Sequence, residues 1–318
     1  MTDSLVNDLI YALAAPLRFG QAGVPSFAAR GNGLFRSIDG GRTWQDAYQT
    51  LVTGPALATS ALALSPDFAH DRLVFAGVNG GVVHSKDGGQ NWRTAVFPPP
   101  SPMVVSLVIS PNFSEDDTLF AGTAEDGVFI STDGGVTWAA WNFGLLDLNV
   151  LCLVISPDFA HDETLYAGTS TGVFVSTNGG RAWREVELPA DLVAVLSLAI
   201  SPDFASDRMV FVGTEEHGLF RGSAGADQTE IDWQAIGTGL SDPINTLLLA
   251  PGFPEPPEVL ALNGSQLCLS TDRGDTFQPW QRLNLPDDFE VMAAAAPHGF
   301  GPDAGVLVGG ANGDVRVV

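Results

Sequence analysis

One pattern of eight residues limits what this chain can fold into. It reads Ser131-Thr132-Asp133-Gly134-Gly135-Val136-Thr137-Trp138, and it returns at Ser37–Trp44, at Ser85–Trp92 and, altered, at Ser176–Trp183 and Ser270–Phe277. The spacing of about 45 to 49 residues is that of propellers and solenoids, whose units bury their apolar faces only against one another.

The residues between copies supply the rest of the unit. Val105–Ile109 is a β-rich run ended by Ser110-Pro111-Asn112-Phe113, in which Pro presets φ and Asn bonds its own backbone. Thr118–Gly122 and Gly127–Ser131 read as second and third strands, the Asp-Gly-Gly segment as a hairpin turn, and Thr137–Trp141 as a fourth strand. Four antiparallel strands per repeat make a propeller blade. First-strand patterns near residues 8–14, 59–65, 104–110, 150–156, 195–201, 244–250 and 290–296 predict an all-β, seven-bladed β-propeller occupying residues 1–318 as a single domain. The fifth unit lacks the turn motif and carries an insertion from Ser223 to Trp233, around Asp227 and Asp232. The chain stops at a third-strand pattern, Val315-Arg316-Val317-Val318, and its N-terminal stretch is too short to add a fourth strand. The last blade is therefore expected to have three strands.

Composition narrows the partners. The net charge is −23, and thirteen of the fourteen basic residues are Arg, Lys86 being the exception. Such a surface repels phosphate, which argues against nucleic acid and anionic membranes. The start, Met1-Thr2-Asp3-Ser4, has no basic, apolar leader, and no run reaches membrane-spanning length, so a cytoplasmic protein without membrane insertion is expected. Cys152 and Cys268 lie in strand patterns of different repeats and read as free thiols.

The recurring Ser-x-Asp-x-Gly-x-Thr-Trp stretch resembles the Asp-box, or BNR, repeat. That resemblance implies a folding device: the Asp accepts bonds from turn N–H groups while the aromatic packs between turn and blade. The implied positions are Asp39, Trp44, Asp87, Trp92, Asp133, Trp138, Asn178, Trp183, Asp272 and Phe277. Families sharing the box include sialidases, tandem-propeller endoglucanases, sortilin-type receptor domains and photosystem II assembly factors; the plain repeat array is most similar to the last. A sialidase needs converging arginines and a tyrosine nucleophile, yet the predicted inner strands contain no Arg, and of Tyr11, Tyr48 and Tyr166 only Tyr11 lies on one. No enzymatic activity is expected, with a BNR-type glycan-binding protein or glycoside hydrolase as the alternative.

A second motif, Pro-Asx-Phe-x-x-Asp, recurs at Pro66, Pro111, Pro157 and Pro202. Clustered carboxylates suit calcium, but Asx turns with a core Phe account for the pattern, and no Cys or His pair has zinc spacing. No cofactor and no metal are expected, and chelation is expected to leave the fold intact. The loops between blades vary most and carry apolar residues, which either fold back between blades or face a partner. The second reading makes Phe97, Met103, Phe143, Leu145, Leu146, Leu148 and Leu192, rimmed by Glu125, Asp126, Glu215 and Glu216, a surface for another protein, alone or as part of a larger complex. The chain then reads as a protein-binding or assembly scaffold.

Overall fold

The computed structural model describes residues 8–51, 57–189, 193–225, 227–240, 243–281, 285–286 and 288–318. They form seven antiparallel sheets, each in chain order from inner to outer strand, six with four strands and the last with three. The expected seven blades and the short final blade are both observed. The inner strands are Ile10–Ala14, Thr59–Leu64, Val104–Ile109, Val150–Ile155, Val195–Ile200, Ile244–Leu249 and Val291–Ala295. Second strands such as Val74–Val78 and Leu119–Thr123 are buried at every position, because each blade is covered on both faces by its neighbours. Among the described residues, no helix is long and apolar enough to cross a membrane.

Neighbouring blades approach closely where a second strand lacks a side chain. A Cβ added to Gly77, Gly122, Gly168 or Gly213 would lie 2.6–2.7 Å from a methyl carbon of Val104, Val150, Val195 or Ile244 respectively, each at the head of the next blade's inner strand. The same fit closes the ring: Gly309 of blade 7 receives Ile10 of blade 1, with a Cγ2 distance of 2.6 Å. Among the described residues no N-terminal strand completes blade 7, and the described closure consists of packing between blades, aided by a hydrogen bond between His298 Nε2 and the Leu17 carbonyl. Blades 1 and 6 depart from the rule, with Ala29 and Leu262 at the glycine position, and the inner strand of blade 6 barely meets that of blade 7.

The two repeated motifs meet as one device. Each Pro-Asx-Phe segment folds into one helical turn, Phe68–Asp71, Phe113–Asp116, Phe159–Asp162 and Phe204–Asp207, with its Phe buried. These turns are too short to show a helical period, which is why the sequence reads only as a turn there. The closing Asp accepts a bond from the Ser before the Pro, as in Ser156 Oγ to Asp162 Oδ2 at 2.6 Å, and from a backbone N–H, as in Thr164 N to Asp162 Oδ1 at 2.9 Å. The next residue, Arg72, Asp117, Glu163 or Arg208, takes a left-handed φ of 48–59°. In three blades its carbonyl accepts the N–H of the first box glycine: Gly88 to Arg72, Gly134 to Asp117 and Gly179 to Glu163, at 2.9–3.1 Å.

Inside the box, Asp39 Oδ1 accepts from Ser37 Oγ and from the N–H groups of Arg42 and Thr43, while Oδ2 accepts from Thr43 Oγ1. Asp87, Asp133 and Asp272 repeat the scheme, with Asn91 replacing the Thr in the second box. In the fourth box Asn178 stands for Asp and Ala182 for Thr, so the hydroxyl donor and its acceptor are lost together. The second box glycine packs against the preceding blade's aromatic, a Cβ at Gly135 falling 2.5 Å from Phe75 Cε1. The box residue and its aromatic also hold the neighbouring blade's exit: Val96 donates to Val136 O and accepts from Trp138 N, Phe143 O accepts from Trp183 N, and Thr238 O accepts from Phe277 N. Trp92, Trp138, Trp183 and Phe277 are buried, whereas Trp44 is half-buried beside the three-stranded blade.

Partial burial disfavours ionisation of Asp87, but donors from Asn91, Ser85 and Gln90 together outweigh it and hold the carboxyl at about 2. Hydrogen bonds from Thr43, then Ser37, lower Asp39 as well. A folded-state value below the unfolded one, about 3.9, gives stability that is complete above about pH 4 and is lost as pH falls toward 2. The urea midpoint is therefore expected to fall between about pH 4 and pH 2, with Asp87→Asn flattening part of that slope; a midpoint unchanged across this range would contradict the assignment. At the seam, Gly309→Ala is expected to cost about 1–3 kcal/mol by overpacking against Ile10. A double-mutant cycle with Ile10→Ala should recover part of that loss, and additivity would show that the contact does not close the ring.

Candidate functional site

The residues expected to form a partner surface divide. Leu145 is 6% exposed and lies in the core shared by blades 3 and 4, so it cannot be an anchor. Phe97 is half-buried and stacks on Trp138, with centroids 5.2 Å apart and planes 11° apart, and so joins blade 2 to blade 3. Both corrections follow the alternative already posed for these loops, folding back between blades. Leu192 lies outside the described residues. Phe143 is 80% exposed, Leu146 79%, Met103 47% and Leu148 39%.

These exposed side chains sit on a well-held loop. Asn142 Oδ1 accepts from Val128 N at 2.8 Å, and its Nδ2 donates to Asp126 O at 2.9 Å. Leu145 N donates to Asn142 O, closing a turn, while Gly144 sits at φ +82° with room for no Cβ, since one there would be 2.2 Å from Trp183 O. Glycine is needed here for both conformation and space. The turn buries Leu145 and leaves Phe143 and Leu146 outside. Gly127 N bonds Leu148 O and Ala124 N bonds Met103 O, which sets Glu125 and Asp126 between the two loops. Glu215 and Glu216 are exposed on blade 5, two blades on.

Two concave features went unread in the sequence. A hollow of about 680 Å³ opens on the box side between blades 7, 1 and 2, lined by Pro16, Leu17, Arg18, Phe68, Arg72 and Pro297 among others. Its signal was the absence of a Pro-Asx-Phe turn from blade 1, where Pro16-Leu17-Arg18 stands instead. A groove of about 650 Å³ lies between the exit of blade 4 and the outer strand of blade 5. Among the described residues no His, Cys, Asp and Glu cluster could hold a metal ion, and Cys152 and Cys268 are free. His70 and His161 are exposed beside Asp67 and Asp158, and hydrogen bonding to Asp158 raises the pKa of His161.

Residues 129–140 match the BNR/Asp-box repeat. No curated protein matches the chain. Among solved structures, an extracellular domain from B. thetaiotaomicron, BT4673, is similar over 100% of this chain and 39% of its own, at 14% identity and a TM-score of 0.70. An ancestral GH74 enzyme is similar over 95% of this chain and 44% of its own, at 19% identity and 0.70. YCF48 bound to D1 peptide is similar over 98% of this chain and 93% of its own, at 16% identity and 0.67. The chain thus spans about two-fifths of the first of these and nearly all of the last. These likenesses concern the fold, and with the repeats they identify the chain as a seven-bladed β-propeller built on Asp-box repeats.

Proposed function

We propose that this propeller is a non-catalytic scaffold that binds another protein through the loop face of blades 3 and 4. The observation that carries this reading is the pair Phe143 and Leu146, held out into solvent by a turn whose middle leucine is anchored in the core. Apolar side chains on a fixed backbone contribute more to binding than mobile ones, because less conformational freedom is lost on association. Two large, nearly fully exposed apolar residues in one turn also form a patch that only a partner would cover. Glu125 and Asp126 beside them would steer a basic partner and give the association salt dependence.

YCF48, of similar length and fold, is described bound to a peptide, which supports protein as the class of ligand. The GH74 likeness offers the enzyme alternative, but the seven inner strands contain no Asp, Glu, His, Lys or Arg. Nothing on them could act as the paired acid and base or nucleophile of a glycosidase.

Phe143→Asp with Leu146→Asp is expected to abolish capture of a stoichiometric partner while changing stability by no more than about 1 kcal/mol. Leu145→Asp, by contrast, is expected to cost at least about 3 kcal/mol, since it buries a carboxylate in the core between two blades. Affinity capture with quantitative mass spectrometry, paired with urea unfolding, separates these effects; a partner retained by the double variant would place the contact elsewhere. Purified protein is expected to turn over neither β-glucans nor sialosides, and turnover removed by a single carboxylate substitution would make it an enzyme.

A further inference from the structure

Blade 5 is the four-stranded blade without an Asp-box, and its outer edge differs accordingly. Outer strands elsewhere have two or three residues: Gln45–Asp46, Arg93–Thr94, Ala139–Ala140, Arg184–Val186 and Gln278–Pro279. In blade 5 the outer strand is Ile231–Ile236, paired along its whole length with Leu219–Ala224. In blades 3, 4 and 6 the exit of the preceding blade bonds the box backbone just ahead of the outer strand. In blade 5 the described exit of blade 4, residues 187–189, makes no backbone bond to it, only an indole bond from Trp233 Nε1 to Glu187 O at 2.9 Å. Among the described residues, none bonds the outer side of the Ile231–Ile236 backbone.

The groove of about 650 Å³ runs beside this edge. Its apolar wall is Leu188, Pro189, Ile231 and Trp233, while Glu187, Glu230 and Asp232 supply three carboxylates and no cation lines it. Gly222 fixes the wall, since a Cβ there would fall 2.3 Å from Ile231 Cγ2 and 2.7 Å from Trp233 Cε3. The blade behind has changed with it: Tyr166 stands where Phe27, Phe75, Phe120 and Phe211 face box glycines, and its hydroxyl is buried without a hydrogen-bond partner.

We infer that the outer strand of blade 5 is a strand-addition site for an extended basic segment of a partner protein. Main-chain bonds to the open edge would supply the pairing, alternate apolar side chains would enter the Leu188–Trp233 groove, and Lys or Arg between them would face Glu187, Glu230 and Asp232. An unprotected edge of this length is otherwise a hazard that folded proteins blunt with short strands or positive charge, and here the flanking charge is negative. The site is independent of the Phe143 and Leu146 surface.

The probe is a fluorescein-labelled peptide of about eight residues alternating Lys with Val, the length of an ordinary strand with flanks. Anisotropy is expected to show binding that weakens in about 0.5 M salt. Hydrogen exchange is expected to slow at the amides of residues 231–236 in the complex. Glu230→Lys with Asp232→Lys should weaken binding about tenfold or more, as should N-methylation of alternate peptide bonds, which keeps the charge and removes the donors. Phe143→Asp with Leu146→Asp should leave this binding unchanged, so loss of the partner surface and loss of the strand site are read separately. Equal affinity for the N-methylated peptide, protection confined to other residues, or no binding would overturn the inference. So would sedimentation of the unliganded protein as a dimer that Glu230→Lys with Asp232→Lys disperses, because the edge would then serve a second copy of this chain.

Discussion

The ring depends on a missing side chain. At five of the seven interfaces the inner strands reach their observed separation because a second strand presents glycine to a Val or Ile at the head of the next blade. A β-branched residue fills a pleated pocket well, and a bare Cα lets it approach to contact. Blade 6, with Leu262 at that position, pays for the extra volume by standing off from blade 7, and the space is filled by Leu248, Leu260 and Leu269. At larger radius the second box glycine repeats the principle against Phe27, Phe75 and Phe120. Packing of this kind has little tolerance for added volume, which is why the same residue types recur at the same depth in blade after blade.

Much of this was written in the sequence, because a blade is a local object. Its strands, its hairpin turn and the hydrogen bonds of Asp39, Asp87, Asp133 and Asp272 lie within a few tens of residues, and the recurring first-strand patterns gave the number of blades. What stayed hidden depends on neighbours. Leu145 and Leu146 are adjacent and chemically alike, and only the turn at Gly144 against the Trp183 carbonyl decides that one is buried and the other free. Phe97 likewise reads as an exposed loop aromatic until the register of the next blade places Trp138 beneath it. The loss of the box in blade 5 was visible, but the groove it leaves is made jointly with Glu187, Leu188 and Pro189 of blade 4.

Function in such a ring comes from departures from the repeat. The helical turns, boxes and glycine contacts recur in most blades as framework, and their carboxylates are occupied by donors of their own chain. The Phe143 turn and the long outer strand of blade 5 are not required by the architecture, and both expose groups that a self-sufficient fold would cover. They lie on separate parts of the molecule, so if both proposed surfaces bind, two segments could be held at once, with the affinity for the second raised by the local concentration that the first imposes.

The described contact between the first and last blades has a consequence for how the chain assembles. Each blade is drawn from one continuous stretch, so nearly every strand pairing spans a short separation in sequence, and the contacts between the first and last blades are the exception. A propeller whose final sheet borrows a strand from the other terminus must wait for the whole polypeptide before that sheet exists. Each described sheet is drawn from its own residues and can form as soon as they leave the ribosome, whereas the meeting of Gly309 with Ile10 comes late. The long-range entropy of folding is thus concentrated in one late docking event rather than in a strand exchange.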